Sequence, residues 1–230
     1  MRVHDNLLSM TAGPNTQLEK TYHRRFDHEL EYRNAVWKVL VRDFFSRYIR
    51  PSDTVLDLGC GYGQFINNME CAHKYAMDLN PASKQFLRDG IVLLEQDCSE
   101  RWQLNDGSLD LVFSSNFFEH LPDKNHLTRT LREAYRCLRS GGLLIAMGPN
   151  AKYIPGAYWD FFDHNIPLTE LSLQEALEVG GFRTREVIAR FLPYTMVNAR
   201  QYPLQLVSIY LKNRWLWRWF GAQFLVVVEK

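Results

Sequence analysis

Three glycines and an acid in the stretch "VLDLGCGYGQF" have the types and spacing of a ligand-binding turn. Gly59, Gly61 and Gly63 follow an apolar run directly, so the backbone there can turn sharply and pass close to a ligand. Asp57 lies in the same motif, where a carboxylate favours a cationic or amine-bearing ligand over a pyrophosphate. The G-x-G-x-G spacing also differs from the G-x-G-x-x-G of dinucleotide sites. The glycines alone would equally suit a bare tight turn.

Two further acids end the next two apolar runs. Asp78 lies in "KYAMDL" (74–79), and Asp97, followed by Cys98, ends "IVLLEQD" (91–97). If these runs are parallel strands, their carboxyl ends meet at one edge of the sheet. Asp78 could there accept hydrogen bonds from both hydroxyls of a ribose. The sequence therefore predicts a site for a ribose-bearing, positively charged ligand at that edge.

Two histidines are candidates for a general base. His164 lies in "AYWDFFDHNIPLTELSL" (157–173), and a histidine near its ordinary pKa of ~6.5 can take the proton of a hydroxyl. The alternative is that His164 caps the next helix, whose own N-cap would be Thr169. His120 in "FFEHLPD" is either a base or a helix-packing residue, and its neighbour Glu119 is interpreted as a first-turn carboxylate. Four aromatic residues could cover an acceptor beside His164: Tyr158, Trp159, Phe161 and Phe162.

The elements that must position these residues alternate between strand-like and helical patterns. Five apolar runs are typical of strands buried on both faces: 54–59, 74–79, 91–97, 109–115 and 143–149. Between the last two, "NHLTRTLREAYRCLRSGG" has apolar residues at helical spacing, with Gly141 as the expected C-cap. This alternation predicts an α/β fold with an open, mostly parallel sheet and helices on both faces.

In these residues and their order, the chain resembles a class I S-adenosylmethionine-dependent methyltransferase. The resemblance covers about residues 36 to 149 and includes "VLDLGCGYG", "AMDLNP", "QDCSE", "DGSLDLVFSSNFFEHL" and "LREAYRCLRSGGLLIAMGPN". Beyond residue 150 the chain is similar to bacterial enzymes that modify surface sugars or lipids. The resemblance implies a Rossmann-like sheet of seven strands. Residues 221–230 would form an antiparallel last strand beside the fifth, and 184–192 the edge strand.

The same resemblance implies S-adenosylmethionine as cofactor and S-adenosylhomocysteine as product. Asp57 and the glycine loop would hold the methionyl portion, and Asp78 the ribose hydroxyls. Asp97 with Cys98 would meet the adenine edge, and Asn116 and Phe117 would flank the sulfonium. The cofactor set is completed by Gly59, Cys60, Gly61, Tyr62, Gly63, Leu79 and Asn80. The expected acceptor-binding residues are Tyr153, Tyr158, Trp159 and Phe162.

A single methyltransferase domain is expected to span residues 1–230. Its parts are a helical cap (1–50), a cofactor-binding core (51–150), acceptor-site segments with inserted helices (151–220) and the last strand (221–230). Tyr22, Arg25 and Arg33 of the cap could reach the cofactor or form a solvated face. The aromatic and arginine residues within 203–220 suit either a helical pair that roofs the acceptor cleft or a helix that lies on a bilayer. The two alternatives are compatible if the acceptor is lipid-linked.

Composition excludes several other classes. The net charge is near +1, which disfavours a nucleic acid partner. The four cysteines form no C-x-x-C clamp, and "MRVHDNLLSM" lacks the apolar run of a signal peptide, so the cytoplasm is the expected compartment. No run reaches the ~18 apolar residues of a membrane span. The oligomeric state is not predicted.

Rival functions remain at this stage. An aminopropyltransferase, which also uses a sulfonium cofactor, would want extra carboxylates for a polyamine, and "FFDHNIPL" offers aromatics and a histidine instead. A cofactor-binding scaffold without turnover would keep the same glycines and acids. DNA-amine methylation is disfavoured because the fourth strand is followed by "SNFF". No metal is expected, since no ligand trio for metal-assisted catechol chemistry is evident after the fourth and fifth strands.

Overall fold

Seven strands in one sheet organise the chain. The computed structural model describes residues 30–194 and 201–230. The strands are β1 Thr54–Leu58, β2 His73–Met77, β3 Ile91–Leu94, β4 Leu109–Ser115, β5 Leu138–Pro149, β6 Arg183–Ile188 and β7 Gln223–Glu229. The helices are α1 Leu30–Asp43, α2 Lys124–Cys137, α3 Glu170–Val179, α4 Leu204–Lys212 and α5 Arg214–Phe220. The proposed cap residues Tyr22 and Arg25 lie outside the described residues.

The strand order is β3-β2-β1-β4-β5-β7-β6. The first five strands run parallel, while β7 is antiparallel to both of its neighbours, β5 and β6. This arrangement confirms the expected fold, including the last strand beside the fifth and the edge strand. The carboxyl ends of the five parallel strands therefore lie at one edge of the sheet, where ligands of open α/β sheets bind.

Both faces of the sheet are covered by apolar layers. Side chains alternate along a strand, so Leu56 and Leu58 of β1 face one layer, whereas Val55 faces the other. Helix α2 buries Leu127 and Leu131 in the first layer. Each fully buried side chain of this size contributes about 1.5–3 kcal/mol to folding. Strand β1 is thus fixed from both sides, and with it the position of the turn that follows.

One boundary differs from the sequence prediction. Helix α2 ends at Cys137, and β5 begins at Leu138 rather than near residue 143, so Gly141 is not a helix cap. The pairing of β4 with β5 is irregular at this point, and Gly141 has a φ of +75° inside the strand. Its N–H donates to Lys230 O at 3.0 Å. Gly141 therefore provides the left-handed backbone conformation that the irregular part of β5 requires. The helical periodicity of the preceding segment could not reveal this irregularity.

Residues 202–221 form two short helices, as expected, with Asn213 between them and Gly221 after the second. Trp217 of α5 is buried with its ring 5.8 Å from Phe44 and 5.1 Å from Phe191. A cavity of about 370 Å³ lies where α4 approaches α1. Its lining residues are Val39, Arg42, Leu204, Gln205, Ser208 and Ile209. Helix α4 therefore lies against α1. None of the predicted site residues lines this cavity.

Candidate active site

The glycine loop follows β1 at the carboxyl edge of the sheet. Gly59, Gly61 and Gly63 all have positive φ, at 72°, 50° and 64°. The amides of Gly59 and Cys60 donate to Met77 O at 2.9 and 3.1 Å, which ties the loop to the end of β2. A Cβ added to Gly61 would meet no atom within 4 Å, so its backbone faces open space that a ligand can enter. The loop thus has the conformation that close approach to a ligand requires.

Asp78, directly after β2, adjoins this loop as predicted. Its carboxylate accepts hydrogen bonds from Gly61 N–H at 2.8 Å and from Asn80 N–H at 2.9 Å. A carboxylate has about four lone-pair positions, so acceptor capacity remains for two ribose hydroxyls. Asn80 also accepts from Ala82 N–H at 3.0 Å and begins a short turn, while Leu79 is exposed. These residues fit the ribose-binding end of S-adenosylmethionine.

Asp57 does not face the ligand side. It is buried beneath the loop, and the nearest donor to its carboxylate is Ile66 N–H at 3.4 Å. Burial, reinforced by the charge of Asp78, raises the pKa of Asp57 to about 7 despite the hydrogen bond from Ile66. The reason lies in strand alternation, because Asp57 points to the same side of β1 as Val55, where the turn Ile66–Asn68 covers it. Asp57 therefore supports the loop from below.

Asp97, the third acid, and its neighbour Cys98 have side chains in different environments. Asp97 is half-buried and accepts from Ser99 N–H at 2.7 Å, so it remains at the edge of the sheet. Cys98 is buried, and its sulfur accepts a hydrogen bond from Thr130 Oγ1 of α2 at 3.3 Å. The Cys98 side chain therefore packs into the core beneath α2, and the expected contact of Asp97 and Cys98 with the adenine edge stays a prediction.

Of the remaining loop residues, Cys60 is buried and Tyr62 is half-buried, with its ring 4.6 Å from that of Phe86. Gly63 has a packing role, because a Cβ there would lie 2.5 Å from a methyl carbon of Leu87. Burial raises the pKa of the Cys60 thiol, so it is protonated at neutral pH. Cys60 thus contributes apolar packing and backbone rather than a charged contact.

The loop after β4 contacts the glycine loop. Asn116 has a φ of 49°, the one positive value among the described residues other than glycine, and its N–H donates to Met147 O at 2.8 Å. A Cβ on Gly59 would lie 2.2 Å from Cγ of Phe117, so the Phe117 ring rests directly on Gly59. Both residues therefore lie beside the glycine loop, where the resemblance places groups that flank the sulfonium.

The aromatic segment after β5 divides into a buried and an exposed half. Tyr158 is fully buried, and its hydroxyl donates to Ile166 O. The prediction that Tyr158 contacts an acceptor is therefore wrong; its phenol closes the turn instead. Tyr153, Trp159 and Phe162 are exposed and remain available to an acceptor.

His164 lies within the buried half. It is 6% exposed, its ring stacks on Phe161 at 5.0 Å, and its Nδ1 lies 2.8 Å from Tyr158 O. A carbonyl oxygen only accepts, so Nδ1 carries the proton and Nε2 keeps a lone pair. Burial, with the nearby His120, lowers the pKa of His164, so the imidazole is neutral at neutral pH. The predicted N-cap Thr169 is confirmed, because it caps α3 in a reciprocal pair with Ser172, and the cap of this helix therefore does not come from His164.

Glu119 and His120 meet His164 from the other side. The backbone amides of Asn165 and Ile166 donate to Glu119 O at 2.8 and 3.1 Å, which joins the two loops. His120 Nδ1 lies 3.2 Å from Asp163 O and 3.1 Å from its carboxylate, and His120 Nε2 is 4.0 Å from Glu119 Oε1.

The Glu119 side chain is 2% exposed, and burial, with the charge of Asp163, raises its pKa to about 8. Glu119 lies in the first turn of the short 3-10 helix Phe118–His120, as predicted, and not in α2, which begins at Lys124.

The structure therefore brings together a trio that the sequence did not reveal. One ligand-type atom from each of Glu119, His120 and His164 lies within 4.8 Å of the others. The expectation that no such set exists after β4 and β5 does not hold. The sequence did contain a signal for this trio, namely a Glu-His pair after β4 and a histidine after β5. Adjacent parallel strands end at the same edge of a sheet, so residues that follow them can meet there.

A second group missed by sequence reasoning fixes the start of this segment. Asn150 is fully buried, and its side-chain amide donates to Glu170 Oε2 at 2.7 Å and to Ala189 O at 2.9 Å. Lys152 Nζ binds the other oxygen of Glu170 at 2.6 Å. This network attaches the chain after β5 to α3 and so fixes the direction in which the aromatic segment leaves the sheet.

The comparisons with known proteins agree with this arrangement. Residues 56–146 match the family described as "Methyltransferase domain". A sarcosine/dimethylglycine N-methyltransferase from Halorhodospira halochloris is 37% identical over 117 residues, 45% of this chain and 40% of that protein. A malonyl-[acyl-carrier protein] O-methyltransferase from Dechloromonas aromatica is 35% identical over 121 residues, 50% of this chain and 44% of that protein. The chain thus spans less than half the length of these relatives.

A similar fold occurs in a solved structure. The crystal structure of a SAM dependent methyltransferase from Archaeoglobus fulgidus superposes with a TM-score of 0.66 and 22% identity, over 89% of this chain and 99% of that one. At this identity the likeness concerns the fold. Within residues 30–194 and 201–230, no helix is long and apolar enough to cross a bilayer.

Proposed function

We propose that this chain, whose residues 56–146 match the methyltransferase domain family, is a class I S-adenosylmethionine-dependent enzyme that transfers a methyl group to an oxygen of a small-molecule, sugar or lipid-linked acceptor. The cofactor is S-adenosylmethionine, and the product is S-adenosylhomocysteine. One observation supports an oxygen acceptor above others: His164 is neutral and has a lone pair on Nε2 beyond the carboxyl end of β5. A hydroxyl must lose its proton as the new bond forms, so a nearby neutral imidazole assists that reaction.

The residues around the glycine loop orient the cofactor. Gly61 leaves its backbone accessible, and Asp78 offers acceptor oxygens for the ribose hydroxyls. S-adenosylmethionine supplies a methyl group whose bond to sulfur breaks, with the electron pair left on sulfur, as the acceptor oxygen forms the new bond. Since the leaving group comes with the cofactor, the chain mainly aligns the acceptor oxygen and excludes water.

The proton of the acceptor hydroxyl passes to the group formed by His164, His120 and Glu119. The Nδ1–H of His164 is held by Tyr158 O, which orients Nε2 to accept. The loop between Phe117 and His120 links this group to the glycine loop, because Phe117 rests on Gly59. The glycine loop and the proposed base are therefore connected through the contact of Phe117 with Gly59 and the short loop from Phe117 to His120.

The exposed aromatic residues suit the flat, partly apolar faces of sugars or lipid-linked groups. Tyr153, Trp159 and Phe162 are all exposed, and the Arg190 guanidinium lies 4.7 Å above the Tyr153 ring. Rings of this kind bind apolar faces while an adjacent cation binds an anionic group. We therefore include Tyr153, Trp159 and Phe162 in the acceptor site and omit the buried Tyr158.

The proposal is tested by incubating the purified protein with methyl-labelled S-adenosylmethionine and a fractionated cell extract. Mass spectrometry of labelled products should then show a new methyl ether or ester. A label on nitrogen would contradict the choice of oxygen. Tight cofactor binding without any transfer would favour a scaffold, and transfer of an aminopropyl group would indicate another sulfonium-dependent transferase.

A further inference from the structure

We propose that Glu119, His120 and His164 together bind one divalent first-row transition metal ion, with Zn²⁺ the best match to the ligand set. Two imidazoles and one carboxylate are the ligands that catalytic zinc sites use, and they also suit Mn²⁺ and Fe²⁺. The three ligand-type atoms lie within 4.8 Å of one another. Around a tetrahedral ion at ~2.0–2.2 Å they would lie about 3.3 Å apart, so modest side-chain rotation completes the set.

Both imidazoles are already oriented as metal ligands are. Nδ1 of His164 donates to Tyr158 O, and Nδ1 of His120 lies beside the carbonyl and the carboxylate of Asp163. In proteins, a metal-bound histidine almost always donates its second ring N–H to a carbonyl or carboxylate, which fixes the tautomer. Each ring therefore keeps the lone pair on Nε2, and His120 Nε2 is the atom nearest to Glu119.

The Glu119 carboxyl group lies beside both imidazoles without a close cationic partner in the described part of the chain. It is almost completely buried, and its closest cationic group among the described residues is His120 Nε2 at 4.0 Å, too far for a hydrogen bond. Burying an ionised carboxylate without a close positive partner is costly, so burial favours the neutral acid until a cation displaces its proton. A divalent ion between Glu119, His120 and His164 would supply that partner.

Three protein ligands leave at least one position of the ion open, as in catalytic zinc sites. While the ion is bound, His164 Nε2 is a ligand and cannot take the proton of the acceptor. An acceptor hydroxyl in the open position would instead lose its proton to solvent, because a bound Zn²⁺ lowers the pKa of a coordinated water to about 7. This use of the ion rests on the proposed function. The binding of the ion does not, and it is measured without any acceptor.

The test uses the full chain after chelator treatment, with ZnCl₂ titrated by calorimetry and Co²⁺ as a spectroscopic probe. One Zn²⁺ should bind per chain, and Co²⁺ should give the intense visible absorption of a four-coordinate site. His164→Ala and the isosteric Glu119→Gln should each weaken Zn²⁺ binding at least tenfold. His126→Ala is the matched control, because His126 is a partly exposed histidine on α2 outside the trio and should leave Zn²⁺ affinity unchanged.

The inference would be overturned if Zn²⁺ binding survived His164→Ala, or if only the substitution of a cysteine abolished it. It would also be overturned if the folded protein bound no Zn²⁺ at millimolar concentration. If a variant fails to fold by circular dichroism, the half-exposed His120→Asn replaces it and should show the same weakening. The two proposals fail separately. Zn²⁺ binding with methylation at nitrogen removes only the proposed function, and oxygen methylation without ion binding removes only this inference.

Discussion

The hydrogen bond between Gly61 N–H and Asp78 joins two residues of the predicted cofactor site. We expect Asp78→Ala to weaken S-adenosylmethionine binding by about 1.5–3 kcal/mol, the usual contribution of a hydrogen bond to a charged acceptor. Calorimetry of the purified variant measures this change. Asp89→Ala removes an exposed acid outside the set of predicted cofactor residues and serves as the control. Equal affinity of wild type and Asp78→Ala would remove Asp78 from the cofactor site.

Gly61 and Gly90 separate the effect of backbone strain from that of a blocked ligand. Both have positive φ, and a Cβ at either position would meet no atom within 4 Å. Gly61→Val and Gly90→Val should therefore lower the free energy of unfolding by similar amounts, on the order of 1–3 kcal/mol. Only Gly61→Val should abolish cofactor binding, because its side chain enters the space of the ligand. Comparable binding by both variants would argue against close approach at Gly61.

His164 is the residue at which chemistry and stability must be measured together. If its Nε2 acts on the acceptor, His164→Ala should lower the single-turnover rate by roughly two to four powers of ten while cofactor affinity is unchanged. Losing a buried, hydrogen-bonded imidazole also costs about 1–3 kcal/mol of stability. Thermal melting and turnover on the same sample distinguish the roles. A less stable protein whose folded fraction turns over at the normal rate would leave His164 a purely structural role.

Helix α5 presents the largest exposed aromatic side chains outside the site. Trp215 and Trp219 are 66% and 65% exposed, with ring centroids 5.9 Å apart, and Phe220 is also exposed. Arg218 lies between them in the sequence and is exposed. Exposed tryptophans beside arginine are typical of helices that lie on anionic bilayers, and on this basis we propose peripheral membrane contact through residues 203–220.

Vesicle sedimentation checks this proposal. The wild type should bind vesicles that contain anionic lipid more tightly than neutral vesicles, and the double variant Trp215→Ala with Trp219→Ala should lose at least tenfold in partitioning. Trp159→Ala is the matched control, because Trp159 is 60% exposed but lies in the segment after β5. Equal losses in the variant and the control would mean that α5 is not the contact surface.

At the scale of elements, the sequence predicts β1 and β4 well because each is a short apolar run that is buried on both faces, whereas the more exposed edge strand β6 was implied only by the resemblance. The sequence misses the start of β5, since Leu138 joins the sheet through an irregular pairing with β4 that no local pattern encodes. The capping box at Thr169 was predictable because both partners lie within one turn.

At the scale of the whole molecule, spacing places side chains at an edge but does not orient them. Asp57, Cys98 and Tyr158 occupy the expected positions, yet all three point into the core. Their direction depends on which neighbouring element covers them. Glu119 and His164 show the reverse case: they meet only because two loops from adjacent strands fold together.

The contact of the Phe117 ring with Gly59 couples the loop after β4 to the glycine loop after β1. Any side chain at Gly59 displaces the ring, so Gly59→Ala and Phe117→Ala should be non-additive in denaturant unfolding, with an interaction energy of about 0.5–3 kcal/mol. Gly61→Ala with Phe117→Ala is the control pair and should be additive, because Gly61 has no neighbour in that direction. If additivity fails only for the first pair, the ring couples the two loops, and any effect of a ligand at the glycine loop on acceptor affinity must be matched by an equal effect of the acceptor on the affinity of that ligand.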